Sequence, residues 1–215
     1  MKTALVTGGT TRLGLAISER LRADGWRVIA SSHRADSGAD IVADLSRPGG
    51  AASLYAEALR ILGGNPPDAL VNNAALLVGD DAAVESVNLS SPMKLTTLMA
   101  GRETGTGAVV NVLDADPRAM QNVRSPRYAA TNEALEEYTC KSAAMFAATL
   151  RVNAVAPGPV LAPVGVREKA GETLVGRPAP DDVAEAVAFL LRANATTGAV
   201  VPVDGGCRLL REAMS

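Results

Sequence analysis

The sequence is poor in the residues from which disulfide frameworks and metal centres are built. Among 215 residues there are two cysteines and one histidine. Cys140 and Cys207 are far apart in the sequence and form no C-x-x-C spacing, so we expect free thiols in a reducing compartment. The single histidine, His33, excludes a multi-histidine metal site and a histidine-based catalytic triad, and we expect no bound metal.

Charge of one sign and long apolar runs are also scarce. The formal net charge is −2 and no block of like charges occurs, which argues against a nucleic-acid or membrane-surface partner. The apolar stretch at the N-terminus ends at Thr7 and two glycines, too early for a signal peptide, and no segment has the length of a membrane span. We therefore expect a cytoplasmic protein.

The composition instead suits Ala/Val/Leu-rich α/β packing, because 47% of the chain is hydrophobic, only 3% is aromatic, and 20 residues are glycine. Short Val-rich runs recur between helical segments, as expected of strands that are covered on both faces. The runs are residues 3–7, 27–31, 41–43, 69–71, 108–113, 150–156 and 199–203, and the helical segments are 13–24, 51–62, 83–103, 126–148 and 181–192. This alternation predicts one α/β domain over 1–215 with a doubly wound parallel sheet, helices on both faces, and a short loop at about 157–180 beside the active site.

The first strand runs into a glycine-rich turn, residues 8–14 (GGTTRLG), and a helical segment follows at once. In such a turn, backbone N–H groups and the dipole of the following helix point towards one place, and glycine allows a phosphate to approach closely. The succession of strand, turn and helix predicts a dinucleotide site over these residues, which we call the glycine turn.

The motif TGGTTRLG is joined by further motifs: NNA at 72–74, Asn88, Tyr128, RVNAVAPGPV at 151–160 and PVDGG at 202–206. Together they resemble the short-chain dehydrogenase/reductase family along essentially the whole chain. The resemblance implies a seven-stranded Rossmann sheet, a nicotinamide cofactor, and hydride transfer to or from a carbonyl, imine or activated double bond of a small-molecule substrate. It also implies a homodimer or homotetramer in which the helices at 83–103 and 126–148 pack between subunits. The cofactor contacts implied by the matched motifs are Gly8, Thr10, Arg12, Leu13, Gly14, Asp44, Leu45, Asn73, Ala74, Asn88, Pro157 and Gly158.

The end of the second strand favours NADP(H) over NAD(H). An NAD enzyme places an acidic side chain there to accept hydrogen bonds from the ribose hydroxyls, whereas the residue here is Ser32, followed by His33 and Arg34. An arginine can hold the 2′-phosphate in a bidentate arrangement, and the missing carboxylate avoids repulsion. A solvated loop charge is the other interpretation of Arg34, and His33 fits packing or the adenine edge better than catalysis.

The family's catalytic pattern is present with two substitutions. Similarity to its YxxxKxALE pattern places the acid at Tyr128 in YAATNEALE, so that Asn132 stands in the lysine slot. The sequence NVLDA places Asp114 where most members have serine. In the family, the lysine cation lowers the pKa of the tyrosine and holds the nicotinamide ribose. A neutral asparagine can bond the ribose but brings no positive charge to a tyrosinate. Other possible sources of that charge are Arg12, Arg124, Arg127 and Lys94.

A second tyrosine–lysine pair, Tyr138 and Lys141, offers another register. Tyr138 and Lys141 are closer together in the sequence than the tyrosine and lysine of the family's pattern. Tyr138 also lies too close to the strand at 150–156, whereas Tyr128 fits the family's distance from that strand. We therefore assign Tyr138 and Lys141 to the surface or to a subunit interface.

Asp114, Arg12 and the residues after the second strand resemble the pteridine reductase and dihydromonapterin reductase branch, in which an aspartate shares proton transfer with the tyrosine. That branch usually presents an aromatic ring after NNA, whereas this chain has ALLV at 75–78. We therefore predict an NADPH-dependent reductase of a pterin or a small carbonyl compound. Two alternatives remain: an NADP(H)-binding homologue with lost or weak catalysis that serves as a sensor or oligomer partner, and a generic ketone or acyl-chain carbonyl reductase.

Overall fold

The computed structural model describes residues 1–103, 105–117, 126–161 and 173–212. Within these ranges, seven strands form one parallel sheet in the order β3-β2-β1-β4-β5-β6-β7. The strands are β1 (Thr3–Val6), β2 (Arg27–Ser32), β3 (Ile41–Val42), β4 (Ala69–Asn72), β5 (Gly107–Val112), β6 (Leu150–Pro157) and β7 (Val200–Val203). Each overlaps one of the apolar runs in the sequence, and the predicted seven-stranded Rossmann architecture is confirmed.

Helices cover both faces of the sheet. They are α1 (Arg12–Ala23), α2 (Gly50–Ile61), α3 (Asp81–Glu85), α4 (Ser91–Ala100), α5 (Pro126–Met145), α6 (Pro180–Arg192) and α7 (Cys207–Glu212). Ile17 of α1 and Val187 of α6 are fully buried in the core of one face, and Leu54 of α2 and Leu95 of α4 in the core of the other. None of the described helices is long and apolar enough to cross a membrane.

The helical segment predicted at 83–103 is not one helix. A π-helical turn, Ser86–Ser90, separates α3 from α4, and α4 ends before Gly101. Pro92 gives the physical reason, because a proline has no N–H to donate to the carbonyl of residue 88 and its ring crowds that carbonyl. The segment predicted at 126–148 also ends early, at Met145, and α7 is too short to show a helical period in the sequence.

Buried hydrogen bonds tie the middle of the sheet to α5. Asn72 and Asn111 are neighbours across β4 and β5, and Nδ2 of Asn72 donates to Oδ1 of Asn111 at 2.8 Å. Nδ2 of Asn111 donates to Oγ1 of Thr139 at 2.9 Å, and that hydroxyl donates to the carbonyl of Leu135 at 2.8 Å. A buried polar group left without its partner costs about 1–3 kcal/mol, so these bonds hold α5 at one position along the sheet.

The strand order changes direction between β1 and β4: β2 and β3 extend the sheet to one side of β1, and β4 to β7 extend it to the other. Because the strands are parallel, their carboxyl ends share one edge, and ligands of such sheets bind in the crevice at the reversal point. The glycine turn after β1 and the segments that follow β4, β5 and β6 all begin at this edge. The fold therefore brings the predicted cofactor residues and the predicted catalytic residues to the same side of the sheet.

Candidate cofactor and active site

The glycine turn is held against the end of β4 by Thr7 and Asn73. The Thr7 hydroxyl accepts the backbone N–H groups of Asn73 at 2.9 Å and of Ala74 at 3.0 Å. In return, the side-chain nitrogen of Asn73 donates to the carbonyls of Thr7 at 3.0 Å and of Gly8 at 3.3 Å. The predicted cofactor residues Asn73 and Ala74 thus lie beside the turn, and Asn73 shapes it directly.

Two residues of the turn have a left-handed backbone. Gly8 has a φ of 62°, which suits glycine, whereas Arg12 at the start of α1 has a φ of 50°, which a residue with a side chain adopts only under constraint. A Cβ on Gly14 would collide with the carbonyl oxygen of Gly8, so the first turn of α1 packs directly on the glycine turn. Thr10 is half-buried, and Leu13 packs partly against the core.

The N-terminus of α1 fits the pyrophosphate of a nicotinamide dinucleotide. The Thr11 hydroxyl at the N-cap makes no capping hydrogen bond with the part of the chain that the structure describes. The first N–H groups of a helix attract an anion, and the close packing at Gly14 holds this end of α1 against the glycine turn. These residues would hold the cofactor's phosphates.

The loop after β2 contains an ion pair that sequence analysis missed. Arg34 donates from Nε to Oδ1 of Asp36 at 3.0 Å and from Nη2 to Oδ2 at 2.8 Å, and His33 is exposed beside it. The hydrogen bonds, and after them the charges, raise the pKa of Arg34 and lower the pKa of Asp36. The end of β2 carries no carboxylate, but the 3₁₀ turn Ala35–Ser37 brings Asp36 back onto the arginine, a contact that sequence analysis did not foresee.

Asp44 and Leu45 follow β3, where the resemblance implies contact with adenine. Asp44 is exposed, and its carboxylate accepts the hydroxyl of Ser46 at 2.6 Å and the N–H of Ser46 at 2.9 Å, which lowers its pKa. The Leu45 side chain is buried in the core. The Leu45 carbonyl accepts the hydroxyls of Ser86 at 2.8 Å and Ser91 at 3.1 Å, which ties this loop to the π-helical turn.

Asn88 lies in the π-helical turn and is 6% exposed. Its Oδ1 accepts the N–H of Leu76 at 2.8 Å, and its Nδ2 donates to the carbonyl of Leu76 at 2.9 Å. Both bonds reach the segment that follows β4, so Asn88 fixes the path of residues 75–78. Leu77 and Val78 in that segment expose their apolar side chains.

The structure brings Tyr128 and Asp114 into contact. The Tyr128 hydroxyl, at the start of α5, donates to Oδ2 of Asp114 at 3.1 Å. The other carboxylate oxygen, Oδ1, accepts the N–H of Asp116 at 2.8 Å, so the short segment after β5 holds the carboxylate in one orientation. Tyr128 is 6% exposed. The predicted acid and the predicted aspartate therefore form one hydrogen-bonded unit at the carboxyl edge of the sheet.

Asn132 lies one helical turn after Tyr128, also buried. Its Nδ2 donates to the backbone carbonyl of Tyr128 at 3.0 Å, and the hydroxyl of Thr131 donates to the same carbonyl at 2.9 Å. The amide that stands in the lysine slot thus serves the backbone of α5 and brings no charge to Tyr128.

The four cations considered from the sequence have different surroundings. Arg127 pairs with Glu85 of α3 at 3.4 Å, and Lys94 is exposed on α4. Arg12 begins α1, and Arg124 lies outside the described residues.

In the second tyrosine–lysine pair, Tyr138 contacts a neighbouring helix and Lys141 lies on the surface. The Tyr138 hydroxyl donates to the carbonyl of Met93 at 3.2 Å, which joins α5 to α4, and burial raises its pKa. Lys141 pairs with Glu137 at 2.6 Å on the exposed side of α5.

The end of β6 packs against the start of α7. Pro157 ends the strand, and a Cβ on Gly158 would lie 2.7 Å from Cα of Asp204. Asp204 is buried and accepts the N–H groups of Gly206 at 2.9 Å and Arg208 at 3.2 Å. Burial raises the pKa of this carboxyl, but the hydrogen bonds outweigh burial and lower it. Asp204 therefore orders the turn that precedes α7 and packs against Gly158.

The predicted loop at 157–180 is described at its two ends, over 157–161 and 173–180. The returning end is anchored, because the N–H of Leu174 donates to the carbonyl of Gly205 at 2.7 Å. The loop thus leaves from the end of β6 and returns beside the start of α7.

Sequence reasoning missed three residues that shape this edge, Asp36, Asn111 and Asp204. Asp204 could have been found, because it lies in the PVDGG motif at 202–206, and an aspartate in a turn often accepts the backbone N–H groups that follow it. Asn111 carries a weaker signal, since an amide inside a Val-rich strand must find a buried partner. Asp36 carries none, because its contact with Arg34 depends on the local turn.

A family model described as enoyl-(acyl carrier protein) reductase matches residues 9–208. A Streptomyces violaceoruber protein, described as a ketoacyl reductase of the granaticin polyketide synthase, is 33% identical over 96% of each chain. L-xylulose reductase of Bos taurus is 32% identical over 94% of this chain and 95% of its own.

Solved structures agree. A crystal structure described as that of a β-ketoacyl-ACP reductase is 31% identical, with a TM-score of 0.78 over 97% of this chain and 98% of its own. A blue fluorescent protein from a metagenomic library, crystallised in complex with NADPH, is 26% identical, with a TM-score of 0.84 over 96% of this chain and 97% of its own. The matches extend from the glycine turn to α7. The chain belongs to the short-chain dehydrogenase/reductase family.

Proposed function

We propose that this chain is an NADP(H)-dependent reductase of a small carbonyl compound, with Tyr128 as the proton donor. Family membership already supports an oxidoreductase. The observation that carries the proposal is the 3.1 Å hydrogen bond between the Tyr128 hydroxyl and Oδ2 of Asp114, at the edge where the glycine turn also lies.

The chain's own residues bind, orient and supply a proton. A bound nicotinamide cofactor supplies the hydride that reaches the substrate carbon. Tyr128 donates its hydroxyl proton to the substrate oxygen as negative charge develops there, a contribution of about 10² to 10⁴ in rate. Asp114, held by the N–H of Asp116, orients the hydroxyl.

The preference for NADP(H) is supported by the end of β2. Ser32 is neutral where an NAD enzyme places an acid, and Arg34 can present two parallel donors to a 2′-phosphate. The relative that was crystallised with NADPH shares the fold with this chain at a TM-score of 0.84.

Exposed apolar side chains at the carboxyl edge support a carbonyl substrate with an apolar part. Leu77 and Val78 after β4 and Leu161 after β6 are 38%, 56% and 37% exposed. A generic ketone or an acyl-chain carbonyl fits such a surface. A dihydropterin is the second candidate, favoured by the Asp114–Tyr128 pair. Its weakness is the segment at 75–78, where the absence of an aromatic ring forfeits about 1 kcal/mol of stacking.

The test is oxidation of NADPH by the purified chain with a panel of substrates. The panel contains small ketones, a β-ketoacyl thioester, dihydrobiopterin and dihydromonapterin, and NADH serves as the second cofactor. We expect turnover with a carbonyl compound and with NADPH in preference to NADH. Tight binding of NADPH without turnover of any member would favour the alternative of a sensor or oligomer partner.

Asn132→Lys separates an active enzyme from a degenerate one. We expect kcat/KM to fall about tenfold, because the variant loses the hydrogen bond to the Tyr128 carbonyl and must bury a charge at a position that is 8% exposed. Ala130→Lys, which adds the same charge at an exposed position of α5, is the control and should leave kcat/KM unchanged. A large gain of activity from an inactive background would contradict the proposal and indicate a chain that has lost its catalytic lysine.

A further inference from the structure

The arginine assigned above to the cofactor phosphate is already held by a carboxylate of its own loop. Arg34 forms two parallel hydrogen bonds with Asp36, of 3.0 Å from Nε and 2.8 Å from Nη2. This is the bidentate arrangement that an arginine also uses for phosphate. The two ligands therefore compete for the same donors.

The contact is built into the loop. The N–H of Arg34 donates to the hydroxyl of Ser32 at 3.1 Å, and the hydroxyl of Ser37 donates to the carbonyl of Arg34 at 2.6 Å. Between them, the 3₁₀ turn Ala35–Ser37 brings Asp36 next to the guanidinium. Both side chains of the pair remain open to solvent, at 61% for Arg34 and 70% for Asp36, so a cofactor can reach either of them.

We propose that Asp36 is a specificity-determining residue that weakens the preference of this chain for NADPH over NADH. The inference rests on the proposed use of Arg34 for the 2′-phosphate. To bind NADPH, the phosphate must displace the Asp36 carboxylate from Arg34 and then lie near a like charge. The adenosine ribose of NADH carries no 2′-phosphate, so binding of NADH neither displaces Asp36 from Arg34 nor places a like charge beside it. Asp36 thus lowers the affinity for NADPH and leaves the affinity for NADH in place.

The expected change in the Kd of NADPH is modest because the side chains of Arg34 and Asp36 are both exposed to solvent. Ion pairs between solvent-exposed side chains are screened, and displacing one changes a binding constant by a small factor. The repulsion of a phosphate by a neighbouring carboxylate adds to it. We expect removal of the Asp36 charge to change the Kd of NADPH by about three- to tenfold.

The experiment measures the Kd of NADPH and of NADH for the whole chain without substrate, by calorimetry or by the fluorescence of the reduced nicotinamide. Asp36→Asn should lower the Kd of NADPH about three- to tenfold and change the Kd of NADH less than about twofold. Glu57→Gln is the matched control. Glu57 is a carboxylate on α2 that holds Arg60 in the same bidentate way, at 2.9 Å and 2.6 Å, and its variant should leave both constants unchanged.

Three results would overturn the inference. The first is an unchanged ratio of the two Kd values in Asp36→Asn, and the second is an equal change in Glu57→Gln. The third is an Arg34→Ala variant that binds NADPH as tightly as the parent chain, because the phosphate would then lie elsewhere. Because substrate is absent, a chain that shifts its cofactor preference as expected yet reduces no substrate would contradict the proposed reductase function alone.

Discussion

Replacing Tyr128 with phenylalanine is expected to lower kcat for reduction of a carbonyl substrate by about 10² to 10⁴ while leaving the Kd of NADPH nearly unchanged. The substitution removes the hydroxyl that donates to Asp114 and keeps the aromatic ring. Tyr128 is only 6% exposed at the start of α5. The substrate oxygen would then take its proton from water. Steady-state kinetics at saturating NADPH, together with a cofactor titration, measure both quantities.

Tyr138→Phe is the matched control for this experiment. Tyr138 lies on the same helix, and its hydroxyl serves the carbonyl of Met93 on α4. The loss of that hydroxyl should leave kcat close to that of the parent chain. Equal losses in Tyr128→Phe and Tyr138→Phe would show that the effect comes from packing of α5, and full activity of Tyr128→Phe would place the proton donor elsewhere.

Gly14→Ala is expected to raise the Kd of NADPH about 10- to 100-fold and to lower the free energy of unfolding by about 1–3 kcal/mol. The new Cβ would overlap the carbonyl oxygen of Gly8 and lie 2.5 Å from Nδ2 of Asn73. Relief requires α1 to move away from the glycine turn, which would take the first N–H groups of the helix away from the phosphates. Cofactor titration and thermal unfolding measure the two changes.

Gly101→Ala serves as the comparison for that variant. Gly101 follows the last residue of α4 and has a φ of −71°, and a Cβ there would meet its nearest atom, the Leu98 carbonyl oxygen, at 3.5 Å. The added methyl should affect neither cofactor binding nor stability. A Gly14→Ala variant that binds NADPH normally would show that the contact between α1 and the turn is not needed for the nucleotide.

The fold follows from the sequence because its signals are local. Val-rich runs that alternate with helical segments suffice to predict a parallel sheet covered on both faces. The break between α3 and α4 was accessible in principle, because Pro92 marks it. It was missed because apolar residues continue through the π-helical turn and hide the change of helix geometry.

The site was less predictable because side-chain partners are not local. Motif spacing placed Tyr128 and Asp114, which the structure joins. Motif spacing could not show that Asn132 turns its amide to the helix backbone. It also could not show that Asp36 occupies Arg34, since both contacts depend on rotamers and on the geometry of one turn.

The bond between Thr7 and Asn73 makes the nucleotide site a late product of folding. It joins residues that are 66 positions apart in the chain, and such distant contacts form only after the intervening loop has closed. A nascent chain that ends before β4 contains every residue of the glycine turn but lacks the strand end that shapes it. A cofactor that binds only the completed arrangement stabilises it by mass action. Bound dinucleotide would therefore raise the free energy of unfolding of this protein.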